Sequence, residues 1–270
     1  MEPTKSGLDA WIGFFTDLEI PVLKRTVREL LLLKADDDQL SVRAVADVIA
    51  HDPLMTLVLL RYLQKHKHSN QLDEVVQIEQ ALMMLGMQTF FGKILPNLVI
   101  EDMLHGQLVA LTNVLHTVKR ATRAAHYARD WGARLQDLHF DEIRIAALLH
   151  NFAEILMWCY APTEMAQVRA LQLKDKSMRS RVAQQEVLGF KLSDLQLALA
   201  KAWGLPALLI GFMNREDGNR RQMRNIVLAI NLARHAENGW DDAALPDDYK
   251  EISTMLNMPV EQVKHLVRNS

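Results

Sequence analysis

The chain has 270 residues, 49% hydrophobic and 24% charged, which is the balance of a folded globular protein and excludes a disordered or fibrous one. With 31 basic against 33 acidic residues the formal charge is −2, so no global field draws the protein to nucleic acid or to an anionic membrane. The length exceeds the usual domain of about 100–200 residues, which allows one large domain or two intimately packed halves around a sizeable core.

The one cysteine, Cys159, excludes an internal disulfide, and the start MEPTKSGLDA lacks the charged and apolar regions of a signal peptide. A reducing, cytoplasmic setting is the expectation. Apolar runs such as LVLL at 57–60 fall short of the roughly 18–20 residues that span a bilayer, so no membrane segment is expected.

In chain order, Ser41 is a good N-cap for a helix carrying Val42, Val45, Ala46 and Ile49, and His51-Asp52-Pro53 ends it. Asp52 then caps the next helix with Pro53 at its first position. Leu54, Leu57, Val58, Leu60 and Leu63 make that helix apolar on more than one side, hence central. The polar stretch QKHKHSNQ at 64–71 predicts a solvated basic loop, because its histidines at alternate positions need a special turn to meet on one metal ion.

A helix from about Val75, with Ile78, Ala81, Leu82 and Leu85 inward, is capped by Gly86. Two longer helices follow, one over about 110–131 that ends near Trp131-Gly132 and one over about 141–160. In the second, Ile145, Leu148, Leu149, Phe152, Ile155 and Leu156 form a broad apolar face with His150 just off its edge. A helix from about Ser193, with Leu195, Leu199 and Trp203 inward, stops at Gly204-Leu205-Pro206. The tail predicts a helix near 221–237, a Pro- and Asp-rich loop at 241–248 and a last short pair.

No stretch alternates with the two-residue period of a strand, and no internal repeat is visible, so the fold class is all-α, an irregular multi-helix array. Gly-rich phosphate loops, CxxC pairs and a GxSxG elbow are absent. Cys159, within LMWCY on an apolar helix, reads as a buried, inert thiol.

EIPVLKRTVRELL (19–31), VADVIAHDPLMTLVLLRYL (45–63), IEQALMMLGMQ (78–88), LLHNFAEIL (148–156) and EVLGFKLSDLQLALAKAWGLP (186–206), in that order, resemble the HDOD family. That family is a regulatory branch of the HD metal-dependent phosphohydrolase superfamily. The resemblance covers about residues 19–213 and implies an N-terminal helical part, about 1–107, against an HD-like bundle, about 108–213. Residues 214–270 are expected to fold back as a helical extension, and the junction of the two parts is where a ligand groove is expected.

The superfamily joins a histidine, a His-Asp pair and a later aspartate around one or two metal ions. By resemblance the first histidine corresponds to His116 and the pair to His150-Asn151, while a later histidine of many members falls at Leu192. An asparagine oxygen is neutral and a weak ligand, and leucine offers no lone pair, so a catalytic divalent site is not expected here. The candidate pocket is His116, His150, Asn151 and Glu154, with no catalytic residue, metal or cofactor. His116 and His150 are expected as a hydrogen-bonded pair, or as two separately satisfied imidazoles, inside a helical core, and Glu154 as either a pocket residue or a solvated one.

His126 and Asp130, four apart, read as a surface pair, and NREDGNRRQMRN from 214 as a solvated loop. Met83, Met84 and Met87 read as core. The expected function is a non-catalytic bacterial regulator in signal transduction that binds a protein partner or a small ligand, with no nucleic acid. The alternative is a metal-dependent phosphohydrolase of a nucleotide or cyclic dinucleotide, for which Asp102, His105 and His139 are spare ligands.

Overall fold

The structure, a computed structural model, describes residues 7–36, 38–66, 75–175, 177–214 and 220–269. Among them helices carry the fold, and the one strand-like contact is an isolated parallel bridge between Val22 and Val99. It is closed by Val22 N donating to Leu98 O (3.1 Å) and Ile100 N donating to Val22 O (2.9 Å).

The N-terminal part comprises α1 (Leu8–Thr16), α2 (Lys24–Ala35), α3 (Val42–Ile49), α4 (Pro53–Lys65) and α5 (Ile78–Leu85). The short α6 (Met87–Thr89) runs into a π-helical turn, Phe90–Ile94, and α7 (Ile100–Met103) precedes the bundle. Its caps form as the sequence predicts. Ser41 Oγ accepts from Ala44 N at 3.1 Å, and Asp52 accepts from Leu54 N and Met55 N at 2.9 and 3.1 Å ahead of Pro53. Helix α4 has eight buried residues and is central, but it extends through Lys65, past the predicted start of the polar loop. Most of that loop lies outside the described residues.

The bundle is built on α8 (Leu108–Arg134), whose 27 residues span about 40 Å. Around it lie α9 (Phe140–Leu148), α10 (Phe152–Tyr160), α11 (Pro162–Lys174), α12 (Ser180–Leu188), α13 (Leu192–Ala202) and α14 (Ala207–Asn214). The extension adds α15 (Arg220–His235), a 3-10 turn (Ala236–Asn238), α16 (Leu245–Leu256) and α17 (Val260–Arg268). Buried Ala121, Ala124, Ala125 and Ala128 give α8 a low profile, and α9, α10, α11 and α15 all pack on it.

Several boundaries differ from the sequence reading. The helix expected from Val75 starts at Ile78, because Val75 and Val76 are buried in an extended lead-in. Gly132 does not end α8; it is buried within it, where Phe140 lies too close for any side chain. The single helix expected over 141–160 is two, broken at 149–151: α9 packs on α8, α14 and α15, whereas α10 turns to pack on α8, α11 and α13. One straight rod cannot bury both faces that way. Half of the loop expected over 214–225 is the start of α15, and α16 begins inside the loop expected over 241–248, with Pro246 in its first turn.

Helix α1 packs on α13 of the bundle rather than on its sequence neighbours. Thr16 O accepts from both Trp203 Nε1 (3.2 Å) and Arg61 Nη2 (2.6 Å), and Arg61 Nη1 donates to Leu18 O at 2.7 Å. The Arg61 guanidinium also lies 5.1 Å from the Trp203 ring. Buried side chains from the N-terminal part, the bundle and the extension form one continuous apolar cluster. Among the described residues no helix is long and apolar enough to cross a membrane.

Candidate functional site

His150 and Asn151 sit in the break between α9 and α10. The Ala147 carbonyl, which can only accept, lies 2.6 Å from His150 Nδ1, so that nitrogen carries the proton. Burial lowers the imidazole pKa to about 4, so the ring is neutral across the physiological range. Asn151 is the N-cap residue of α10, although its side chain makes no capping hydrogen bond, and Glu154 follows in the first turn.

Glu154 faces a cavity of about 250 Å³ that is also lined by His116, Thr117, Arg120 and Leu192. The 3-10 turn of the extension closes it with Glu237. His116 Nδ1 lies 2.8 Å from Glu237 Oε1, and Arg120 Nη1 donates to Glu237 Oε2 at 3.3 Å. The other guanidinium nitrogen of Arg120 donates to Glu154 Oε1 (3.4 Å) and to Thr117 Oγ1 (3.1 Å). Thr117 in turn donates to Asn113 O at 2.9 Å. Arg169 donates to the Asn113 side chain on the far wall.

The structure therefore brings His116 and Glu154 into one cavity and leaves His150 and Asn151 off its lining. The two histidines are not bonded to each other; each has its own partner, and His116 is 56% exposed rather than part of a core. Arg120 and Glu237 were missed by the sequence reading. Arg120 was within reach, one helical turn after His116 and on the same face. Glu237 was not, since only folding brings the extension to α8.

A divalent ion does not fit these residues. Both carboxylates of the cavity are already engaged by the Arg120 guanidinium, which with Arg169 in the same lining would repel a cation, and the neutral Asn151 adds no charge. Among the described residues no group of three or more His, Cys, Asp or Glu side chains is placed to hold a metal. The spare ligands are scattered. Asp102 pairs with Lys24 at 2.9 Å, His139 lies 3.8 Å from Glu142, and His105 is exposed.

The pair expected between His126 and Asp130 is not formed. Asp130 accepts from Arg134 Nε at 2.8 Å, and His126 lines a groove instead. Met83 and Met84, expected in the core, are 65% and 48% exposed because α5 turns Ile78, Ala81 and Leu82 inward on its other face. Cys159 is buried, and burial pushes its thiol up to about 12, which leaves it protonated and inert.

The groove of His126 is the larger opening, about 960 Å³, and it runs along the junction of the two parts. Helices α2, α3 and α5 form one wall, α8 and α9 the other. On the bundle side Arg129 Nε donates to Asp141 Oδ1 at 3.3 Å and stacks its guanidinium 5.8 Å from the Phe140 ring. Arg144 beside them is half-buried, and burial followed by repulsion from Arg129 holds its pKa below the usual arginine value.

The HDOD domain family model matches residues 20–217. The MmoQ response regulator from Methylococcus capsulatus str. Bath superposes with a TM-score of 0.69 at 18% identity, covering 92% of this chain and 98% of that one. A virulence factor from Campylobacter jejuni subsp. jejuni gives 0.68 at 18% identity, covering 95% and 96%. At these identities the likeness is one of fold. No curated protein matches the sequence.

Proposed function

The chain belongs to the HDOD family, and from that premise we propose that it is a regulatory protein of signal transduction that binds a protein partner or a small ligand and carries out no chemistry. The observation that carries the reading is the position of Arg120. Where the related phosphohydrolases hold metal with carboxylate and histidine, this chain sets a guanidinium between Glu154 and Glu237, with asparagine in place of the paired aspartate. Arginine stays protonated at any physiological pH, so it holds a permanent positive charge between the two carboxylates and cannot activate water as a metal ion does.

Binding remains as the means of action. The protein of shared fold from Methylococcus capsulatus is described as a response regulator, which agrees with a signalling role for this fold. The groove at the junction of the two parts gives a ligand a place, and a ligand touching both parts can change how they sit together.

Inductively coupled plasma mass spectrometry on tag-free, as-purified protein tests the reading. Background metal is the expected result. A near-stoichiometric transition metal, with phosphodiester hydrolysis that chelator removes and the same metal restores, overturns it.

A further inference from the structure

The geometry of the junction groove points to a ligand class: we propose that it binds a small phosphorylated molecule, with the phosphate against the bundle wall and its hydroxyl or amino groups against the N-terminal wall. This rests on the ligand-binding reading above and deepens it.

The two walls carry opposite charge. The bundle wall presents Lys119, Arg123, Arg129 and Arg144 against the single carboxylate of Asp141. Across the opening stand Asp47 of α3, Glu79 of α5 and Glu101 before the bundle, against Arg25 and Arg43. Part of this charge is already engaged within each wall. Asp141 is taken by Arg129, and Glu101 accepts from the backbone of Lys24 at 2.8 Å.

What is left unpaired selects the ligand. Arg144 is half-buried, yet among the described residues it makes no hydrogen bond or salt bridge; Asp141, Asp47 and Glu79 act on it only through longer-range attraction. A partly desolvated guanidinium with no hydrogen-bond partner keeps its N–H groups open to the groove, and a phosphate can take two of them at once. Exposed Lys119, also unpaired among the described residues, lies on the same wall. Asp47 and Glu79 are exposed and make no salt bridge among the described residues, so they are acceptors for ligand O–H or N–H donors. Beside the basic groups the exposed Leu115 provides apolar surface for a ring.

Size and charge together disfavour a macromolecule. At about 960 Å³ the groove is at the upper end for small-molecule sites, which run to roughly 1,000 Å³. The carboxylates of the N-terminal wall would repel an acidic peptide or a nucleic-acid backbone lying along it, whereas a molecule with phosphate at one end and donors at the other meets both walls correctly.

Isothermal titration of the full chain with adenosine and guanosine 5′-monophosphates, the parent nucleosides, inorganic phosphate and a polyglutamate peptide tests the proposal. The expected result is that a nucleoside monophosphate binds about tenfold or more tightly than its nucleoside, and that Arg144→Gln removes that difference. Lys119→Gln, at an exposed position that cannot unfold the protein, should weaken the same ligand severalfold while Asn substitution of Asp47 weakens nucleoside and nucleotide alike. Absence of binding by both nucleotides, full affinity in the Arg144→Gln and Lys119→Gln variants, or equal affinity for polyglutamate overturns it. Metal measured on the same sample separates the two failures: background metal with no binding defeats the groove assignment alone, and stoichiometric metal defeats the reading beneath it.

Discussion

Asp52 Oδ2 accepts a hydrogen bond from the Leu23 backbone N–H at 2.9 Å, across 29 residues of sequence, while Oδ1 of the same carboxylate caps α4. One fully buried side chain thus fixes the entry of α4 and the start of α2 together. Leu23 is itself the residue that precedes α2 and lines the junction groove, so the cap also sets that wall.

Asp52→Ala is therefore expected to cost more than an ordinary cap, which is about 1 kcal/mol, because three buried N–H groups lose their acceptor at once; a loss of about 3 kcal/mol or more is predicted. Asp52→Asn should fall between, since one oxygen becomes a donor that faces an N–H group. Urea unfolding of the two variants checks the order.

Gly132→Ala should destabilise, although alanine is the better helix former by about 1 kcal/mol. A Cβ there would stand 2.9 Å from Phe140 Cβ and 3.2 Å from Phe140 Cα, atoms too near the backbone to swing aside. Overpacking of this kind costs about 1–3 kcal/mol, so a net loss is expected. A rise in the unfolding midpoint would contradict it.

His150 makes stability depend on pH. The unfolded chain takes up a proton near pH 6.5 and the folded protein only near 4, so between these values the unfolded state binds more protons. Stability is full above the unfolded value and is lost as the pH falls through the window, by up to about 3 kcal/mol. His150→Gln should flatten this slope, read from unfolding midpoints at several pH values within the window.

Asn151→Asp creates a His-Asp pair at 150–151, but it is expected to leave the protein without bound metal, because Arg120 still occupies the charge position between Glu154 and Glu237. A carboxylate at the N-cap of α10 should instead add about 0.5 kcal/mol through the helix dipole. Unfolding midpoints with and without added zinc or manganese decide between the two effects: a metal-dependent rise would show that the cavity accepts a cation after all.

Much of the fold is legible because its causes are local. Ser41, and Asp52 followed by Pro53, announce the starts of α3 and α4 within three residues of the groups they cap, and the apolar period marks α8 wherever the chain is read. The same local reading joined α9 and α10 into one rod, since no glycine or proline stands at 149–151 and the apolar spacing runs through the break. Only the different neighbours of the two helices call for the turn.

The sequence by itself determined that this protein is helical, where several of its helices begin, and that His150 is followed by an asparagine and not by a carboxylate. The tertiary structure decided what surrounds those residues. It carried Glu237 across 121 positions to His116 and set Arg120 between two carboxylates from other elements. It also left Arg144 without a hydrogen bond or salt bridge among the described residues, in a groove formed by both parts of the chain. Caps and periods depend on hydrogen bonds and burial within a few residues, whereas a charge's partner depends on which distant surfaces pack together, and that is settled only when the whole core closes.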